Sequence, residues 1–192
     1  MPNLKGSRTE ANLLQAFAGE SQARNRYTYF ASKARKEGLI AIAKLFESIA
    51  EQEKEHAKRF FSQLTGGEVT INATFPAGEV KSTLENLKAA AAGEQEEATT
   101  AYPTFAKIAE EEGFSEIADL FRAVTVAEAR HEKLYRAFIK LLEDGTLFKR
   151  ANETVWFCLN CGYVAVGTEA PIACPACKHP QGYFVSEDTA LR

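Results

Sequence analysis

The sequence has few residues of several types, and each scarcity excludes a class of protein. Its 192 residues include four cysteines, three histidines, one methionine and one tryptophan. The cysteines all lie between Cys158 and Cys177, so no disulfide framework extends along the chain, and a local metal site is favoured. No apolar run approaches the ~20 residues that span a bilayer, and the N-terminus has no apolar signal core. We therefore expect a cytoplasmic protein without a membrane partner.

Neither sign of charge is in large excess: the chain has 23 Lys and Arg against 26 Asp and Glu. The formal net charge is −3, which gives no reason to expect nucleic acid or an anionic membrane as a partner. Hydrophobic residues make up 45% of the chain, as in a globular protein. The length allows one domain of about 150 residues and a second, small one.

Helical patterns fill most of the chain, and a glycine follows each of them. The segment between the second and third helices contains Thr, Gly, Asn and Pro and is expected to be a long crossover loop, over about 65–78. We predict a mainly α protein: a four-helix bundle over 1–146 and a small metal-binding domain over 147–192. The predicted helices cover about 8–37, 39–64, 80–112 and 115–143.

The two halves of the bundle repeat each other. Glu53 corresponds to Glu128 and His56 to His131, in both cases at an offset of 75 residues. The surrounding aromatic and glycine positions share this offset. The pattern predicts a duplicated helix pair, with any shared site lying on a pseudo-twofold axis.

One pair departs from this offset. Glu20 corresponds to Glu94 at 74 residues, so the third helix carries one extra residue. The same helix contains Pro103, which has no N–H to bond the preceding turn. We predict a π-turn or kink between about Glu97 and Pro103, because such turns accommodate an inserted residue and favour functional sites.

Two Glu-x-x-His motifs use two of the three histidines. Residues three apart share a helix face, so Glu53 with His56, and Glu128 with His131, can each bind at one point. Adding one glutamate from each of the other two helices completes the ligand set of a di-iron or di-manganese bundle. These additional candidates are Glu20 in the first helix and Glu94 or Glu97 in the third.

The glutamates occupy positions where the helices should bury apolar residues. A buried, unpaired carboxylate is unfavourable, so several at one level require cations. The alternative, that they form ordinary solvated faces, does not explain two histidines in phase with them. Glu97 would be a seventh ligand, and we hypothesise that one iron exchanges between Glu97 and His56 as its oxidation state changes. Tyr27 and Tyr102 are either hydrogen-bond donors to these ligands or ordinary core residues.

The cysteines follow a Cys-x2-Cys-x12-Cys-x2-Cys pattern, which predicts a tetrahedral thiolate site. Spacing alone does not choose between structural zinc and a single redox-active iron. Nearby aromatic residues should form a small core, and the isolated His179 should lie at the surface. The predicted ligands are Cys158, Cys161, Cys174 and Cys177, and the predicted core residues are Trp156, Tyr163, Tyr183 and Phe184.

Both metal motifs together resemble those of the rubrerythrin family. The resemblance covers essentially the whole chain, including the stretches 4–10 and 18–27 and the rubredoxin-like Cys-x2-Cys-Gly-Tyr and Cys-Pro-x-Cys tail. It implies a ferritin-like bundle with two non-haem irons and a rubredoxin-like domain with one Fe(Cys)4 iron. The ligands carried over are Glu20, Glu53, His56, Glu94, Glu97, Glu128 and His131, with the four cysteines.

The resemblance also implies an activity and partners. The implied activity is reduction of hydrogen peroxide to water in oxidative-stress defence. The implied electron donor is a reductase or rubredoxin, and the implied assembly is a head-to-tail homodimer. Two alternatives remain open: a ferritin-like ferroxidase or iron-handling protein, and a zinc-loaded structural or interaction protein. The sequence leaves open the physiological donor and the choice between peroxide and dioxygen.

Overall fold

The computed structural model describes residues 3–189. Its larger part is a bundle of four long helices, the third of which is interrupted. A twisted three-stranded sheet follows at the C-terminal end. The helical elements are α1 (Arg8–Lys36), α2 (Ile40–Phe61), α3 (Thr83–Glu96), a π-turn (Glu97–Ala101), α4 (Tyr102–Glu111) and α5 (Ser115–Glu143).

The helix ends follow local hydrogen bonding. Ser7 caps α1 by accepting a hydrogen bond from the Glu10 N–H at 3.0 Å. The third helix begins at residue 83, so the predicted start at 80 was wrong. Ser82 and Glu85 form a capping box there, which places the first helical residue at Thr83. The predicted end of the second helix at residue 64 was also wrong, because its last bonds tighten to i→i+3 after Phe61.

The predicted π-turn in the third helix is confirmed. The Tyr102 N–H bonds the Glu97 carbonyl five residues earlier, which is the π-helical pattern. Pro103 lies in the first turn of α4, where its missing N–H does not interrupt an α-helical bond. The Thr104 hydroxyl donates to the Thr100 carbonyl at 2.6 Å. The extra residue is thus absorbed in one turn, and α3 and α4 both keep their inward faces.

The bundle core consists of two apolar clusters with a polar layer between them. Along α2, Phe46 packs in one cluster and Phe60 in the other. Along α5, Phe121 and Phe138 divide in the same way. The Glu-x-x-His motifs lie between these aromatic residues, so the apolar clusters close the polar layer from both sides.

The C-terminal domain is an antiparallel sheet in the order β2-β1-β3, built from β1 (Lys149–Cys158), β2 (Val164–Glu169) and β3 (Phe184–Ser186). Trp156 and Phe184 are fully buried in its small core, beside Cys158 and Cys174. The predicted Tyr163 and Tyr183 pack against the same core while partly exposed. The aromatic core expected around the cysteines is therefore confirmed.

The sheet packs against one end of its own bundle. The Lys44 ammonium of α2 donates to the Leu159 carbonyl at 3.0 Å, and Val185 joins a bundle core cluster. Gly182 lies so close to the Gly38 carbonyl that a side chain there would collide with it. The predicted division after residue 146 stays a prediction, and its outer ends, 1–2 and 190–192, lie outside the described residues. Within residues 3–189, no helix combines the length and apolar character that crossing a bilayer requires.

Candidate metal centres

Two overlapping groups of ligand atoms lie in the polar layer of the bundle. In each group, one atom from every residue lies within 4.8 Å of the others. We name them after their histidines, the His56 position and the His131 position. Glu53 and Glu128 belong to both, which is the arrangement of two bridged metal ions. The His56 position comprises Glu20, Glu53, His56 and Glu128; the His131 position comprises Glu53, Glu94, Glu128 and His131.

Each histidine reaches the glutamates of both motifs. His56 Nδ1 lies 3.0 Å from Glu53 Oε2 on its own helix and 2.9 Å from Glu128 Oε1 across the bundle. His131 Nδ1 lies 2.7 Å from Glu128 Oε2 and 3.1 Å from Glu53 Oε1. The two rings stack with centroids 5.8 Å apart. The pseudo-twofold symmetry expected from the repeat is therefore present at the site.

Several buried polar atoms of the cluster have no hydrogen-bond partner other than one another. Within residues 3–189 these include both Glu128 carboxylate oxygens and His131 Nδ1. Buried orphans are rare and unfavourable, and here they point at common centres. Carboxylate and imidazole atoms in this arrangement match the donors of a non-haem di-iron site, so the residues fit that cofactor. The remaining orphan atoms of the cluster are Glu20 Oε2, Glu53 Oε1 and Glu94 Oε2.

The electrostatics of the metal-free cluster also call for cations. Burial, together with the Glu53 charge, raises the pKa of Glu20 and of Glu94 well above the ordinary value. Burial opposes ionisation of Glu53 too, but hydrogen bonds from His131 and His56 lower its pKa to about 2. Burial lowers the pKa of His56, yet the Glu128 and Glu53 carboxylates raise it to about 9. Protons therefore occupy the cluster when metal does not.

Two tyrosines donate hydrogen bonds to Glu94 and Glu20, the two cluster glutamates that lie outside the Glu-x-x-His motifs. The Tyr27 hydroxyl of α1 donates to Glu94 Oε1 of α3 at 2.5 Å. The Tyr102 hydroxyl of α4 donates to Glu20 Oε1 of α1 at the same distance. Both tyrosines are fully buried. The hydrogen-bond interpretation of these residues is therefore confirmed, and it holds across the pseudo-twofold axis.

Glu97 is the one predicted carboxylate outside both groups. It is half-buried at the start of the π-turn and lines a cavity of about 210 Å³ with Gly19, Arg26 and Phe75. Burial and the Glu128 charge raise its pKa to about 8. A Cβ at Gly19 would lie 3.8 Å from Glu97 Oε1, so this glycine leaves room beside the carboxylate.

Gln52 is a site residue that the sequence analysis missed. Its Oε1 lies 2.7 Å from His131 Nε2, on the opposite side of the ring from the ligand atoms. Such outer contacts orient metal-binding histidines. The available signal was a break in the repeat, because the residue at the 75-residue offset from Gln52 is Ala127.

The four cysteines converge as predicted. Cys158 Sγ and Cys177 Sγ lie 3.7 Å apart, as do Cys161 Sγ and Cys174 Sγ, and all four are free thiols. A tetrahedron with metal–sulfur bonds of about 2.3 Å has edges of about 3.8 Å, so the spacing fits a bound metal. The backbone N–H of His179 lowers the pKa of Cys177 to about 6.

His179 itself is not part of the thiolate group. It is half-buried against Tyr183, with ring centroids 4.4 Å apart, so the expected surface position was only partly correct. Its Nδ1 lies 3.2 Å from the Cys177 carbonyl. His179 therefore contacts both cysteines of the second pair: its carbonyl accepts from the Cys174 N–H, and its ring lies against the Cys177 carbonyl.

Comparison with known proteins places both centres in one family. The family model for rubrerythrin matches residues 11–139, and the model for the rubrerythrin rubredoxin-like domain matches residues 156–185. The chain belongs to the rubrerythrin family. It is 60% identical to the rubrerythrin of Porphyromonas gingivalis over 95% of this chain and 91% of that one. It is 54% identical to the rubrerythrin of Nitratidesulfovibrio vulgaris over 96% of both chains.

Among solved structures, the rubrerythrin-family chain is similar to fully reduced, all-ferrous nigerythrin. The TM-score is 0.64 with 31% identity, over 95% of this chain and 90% of that one. The ferritin-like bundle and the rubredoxin-like domain predicted from sequence are thereby confirmed. Rubrerythrins bind iron, and this chain provides both the carboxylate–histidine cluster for a di-iron site and the four-cysteine site.

Proposed function

We propose that this chain is a non-haem di-iron peroxidase that reduces hydrogen peroxide to water in cytoplasmic oxidative-stress defence. The observation that carries the proposal is that one chain holds both a buried carboxylate–histidine cluster, whose ligand atoms converge on two points, and a four-thiolate site. The first suits two-electron chemistry and the second suits one-electron transfer. Each peroxide consumes two electrons and two protons and yields two waters.

Bound iron at the two positions would supply the electrons, and the protein would provide the setting. Glu53 and Glu128 each present oxygens to both positions, so they would hold the two ions at a fixed separation. Tyr27 and Tyr102 would fix the outer oxygens of Glu94 and Glu20.

The cavity beside Glu97 is the proposed entry for peroxide. It is small, and the crossover loop contributes Phe75 and Pro76 to its wall. Glu97 lines this cavity, where its carboxyl can hold a proton or serve as an additional ligand that alternates with His56. Gln22, whose amide donates to the Pro76 carbonyl at 2.8 Å, holds the loop against the bundle.

We further propose that electrons pass between subunits of a head-to-tail homodimer. Within one chain, the cysteine domain meets α2 at Lys44, nine residues before Glu53. That separation alone is about 13.5 Å along the helix, and the side chains at each end add to it. A partner subunit that brings its cysteines beside His56 would shorten the path. A separate reductase or rubredoxin would supply the electrons.

Anaerobic stopped-flow spectroscopy tests the proposed function. The iron-loaded, fully reduced protein is mixed with stoichiometric hydrogen peroxide. Rapid appearance of ferric-thiolate and oxo-bridged di-iron bands is expected. Slow or absent oxidation, with two irons bound in the bundle, would contradict a peroxidase and favour iron handling.

A cysteine variant separates the alternatives. In Cys158→Ser/Cys174→Ser, iron oxidation by the bundle should survive while donor-coupled peroxide reduction fails. A ferroxidase would keep its full function in this variant. A zinc-loaded structural protein would show neither reaction, and it would leave the orphaned carboxylates of the bundle unexplained.

A further inference from the structure

The two metal positions differ in how firmly their histidines are held. His131 has a side-chain partner for the nitrogen that faces away from the ligand atoms, Gln52 Oε1 at 2.7 Å. The His131 side chain is 2% exposed, whereas that of His56 is 16% exposed. The pseudo-twofold symmetry, which the two tyrosines follow, therefore does not extend to the partner of the histidine ring.

The orientation of the Gln52 amide defines the proton on His131. Gln52 Nε2 points to Ser48 Oγ at 3.5 Å, one turn earlier on α2, which leaves Oε1 facing the imidazole. A carbonyl oxygen can only accept, so His131 Nε2 must carry the proton. When a metal ion replaces the protons of the cluster, Nδ1, the atom nearest the carboxylates, is the nitrogen left to bind it. The contact thus selects the tautomer that can bind a metal ion.

The repeat shows what the other position lacks. At the 75-residue offset, Gln52 corresponds to Ala127 and Ser48 to Ala123, both on α5. A methyl group can neither accept a proton from His56 nor orient its ring. Ala127 is half-buried and directly precedes Glu128 on α5.

We propose that Gln52 is a positioning residue that makes the two metal positions unequal, tight at His131 and labile at His56. This inference concerns the same cluster as the proposed function but requires only metal binding, so it can fail or succeed independently of peroxide reduction. It predicts that a glutamine and a serine placed at the equivalent positions of α5, Ala127 and Ala123, would tighten metal binding at the His56 position.

Cobalt titration of the full-length chain tests the inference. The thiolate site is first filled with one equivalent of zinc, and Co²⁺ binding to the bundle is followed by visible absorbance. The unmodified chain should show two affinities. Gln52→Leu should weaken the tighter one about 10- to 100-fold and leave the weaker one unchanged. Gln52→Glu should retain it, because the carboxylate accepts the same hydrogen bond. The matched control is Gln63→Leu, beyond the end of the same helix.

The reciprocal variant provides a second arm. Ala123→Ser/Ala127→Gln should strengthen the weaker affinity, because it gives His56 the partner that His131 has. Nitrogen-15 NMR of the zinc-filled protein supplies a readout that a merely structural role would not change. One slowly exchanging imidazole N–H is expected in the unmodified chain, none in Gln52→Leu and two in the reciprocal variant.

Three results would overturn the inference. The first is a Gln52→Leu variant with both affinities and the imidazole N–H unchanged. The second is an equal loss at both positions, which would indicate general damage to the bundle. The third is a single affinity for both ions in the unmodified chain.

Discussion

At the scale of single residues, two of the buried carboxylates depend on a specific tyrosine hydroxyl. Glu20 is 1% exposed, and Tyr102 provides the hydrogen bond to its outer oxygen. Glu94 has the same relation to Tyr27. Because the bound metal would take the inner oxygens, these hydroxyls are what remains to stabilise the outer ones.

Tyr102→Phe should therefore destabilise the metal-loaded protein by about 1–3 kcal/mol, since it leaves a buried carboxylate oxygen unsatisfied. The measurement is the free energy of unfolding in urea. Tyr29→Phe is the matched control, because Tyr29 is 56% exposed on the same bundle. Equal stability of the two variants would show that Tyr102 is only a packing residue.

The protonation of the metal-free cluster predicts a pH dependence of stability. The pKa of Glu97 is about 8 in the folded protein, above its unfolded value of about 4.3. The pKa of His56 is about 9, above about 6.5. Both groups bind protons more tightly when folded, so their stabilisation is present at low pH and is lost as pH rises through the folded pKa. Glu53, with a pKa of about 2, has the opposite dependence: its stabilisation is fully present above its unfolded pKa of about 4.3 and is lost only as the solution becomes more acidic.

The metal-free protein should accordingly lose stability from pH 5 to pH 9, at about 1.4 kcal/mol per pH unit for each proton released. Metal-loaded protein should not show this slope, because the ions displace the protons. Thermal unfolding at several pH values measures both forms. Glu97→Gln should reduce the slope of the metal-free form, and a metal-free protein that gains stability toward pH 9 would refute the assignment.

The ligands were predictable from sequence for a residue-level reason. Glu53 and His56 interrupt an apolar stripe at regular helical spacing, and a second copy at Glu128 and His131 repeats the signal. Gln52 gave only the mismatch with Ala127 in the repeat, because one glutamine beside a motif otherwise resembles a solvated residue. Its role depends on the distance between α2 and α5, which the pattern of either helix does not contain.

At the scale of elements, the π-turn decides which carboxylates the third helix presents. One residue in an α-helix corresponds to about 100° of rotation, so the extra residue would turn either Glu94 or Tyr102 away from the site. The π-turn takes up that rotation between them. The insertion was visible as the change of offset from 75 to 74 residues, whereas the start of the helix at Thr83 depended on a capping box that helical periodicity does not report.

Deleting Thr100 tests this element. The residue is exposed in the middle of the π-turn, and its removal should restore a regular α-helix. Glu94 and Tyr102 are then seven residues apart, as Glu20 and Tyr27 are in the regular helix α1, so both should stay in the site and both Co²⁺ affinities should persist. Helical content by circular dichroism should persist. Thr100→Ala keeps the chain length and the π-turn and should bind like the unmodified protein; loss of one Co²⁺ position in the deletion variant would show that the π-turn does more than take up the extra residue.

At the scale of the whole molecule, the cysteine domain is attached firmly but far from its own di-iron cluster. Gly182 meets the Gly38 carbonyl with no room for a side chain, and Lys44 bonds the Leu159 carbonyl between the first two cysteines. The linker therefore folds back only onto the end of the bundle. Sequence predicted both metal sites, but not this contact, because two glycines carry no pattern that pairs them.

A firmly docked, distant electron carrier predicts transfer between subunits, and complementation tests it. Glu53→Ala/Glu128→Ala removes the bridging ligands, and Cys158→Ser/Cys174→Ser removes the thiolate site. Each variant alone should lack donor-coupled peroxide reduction. Refolded together, half of the dimers contain one subunit of each kind, with one complete path from the cysteines of the first to the bundle of the second. The mixture should recover about a quarter of the unmodified rate if the dimer is head-to-tail. Transfer within a single chain would leave the mixture inactive, because no subunit carries both centres.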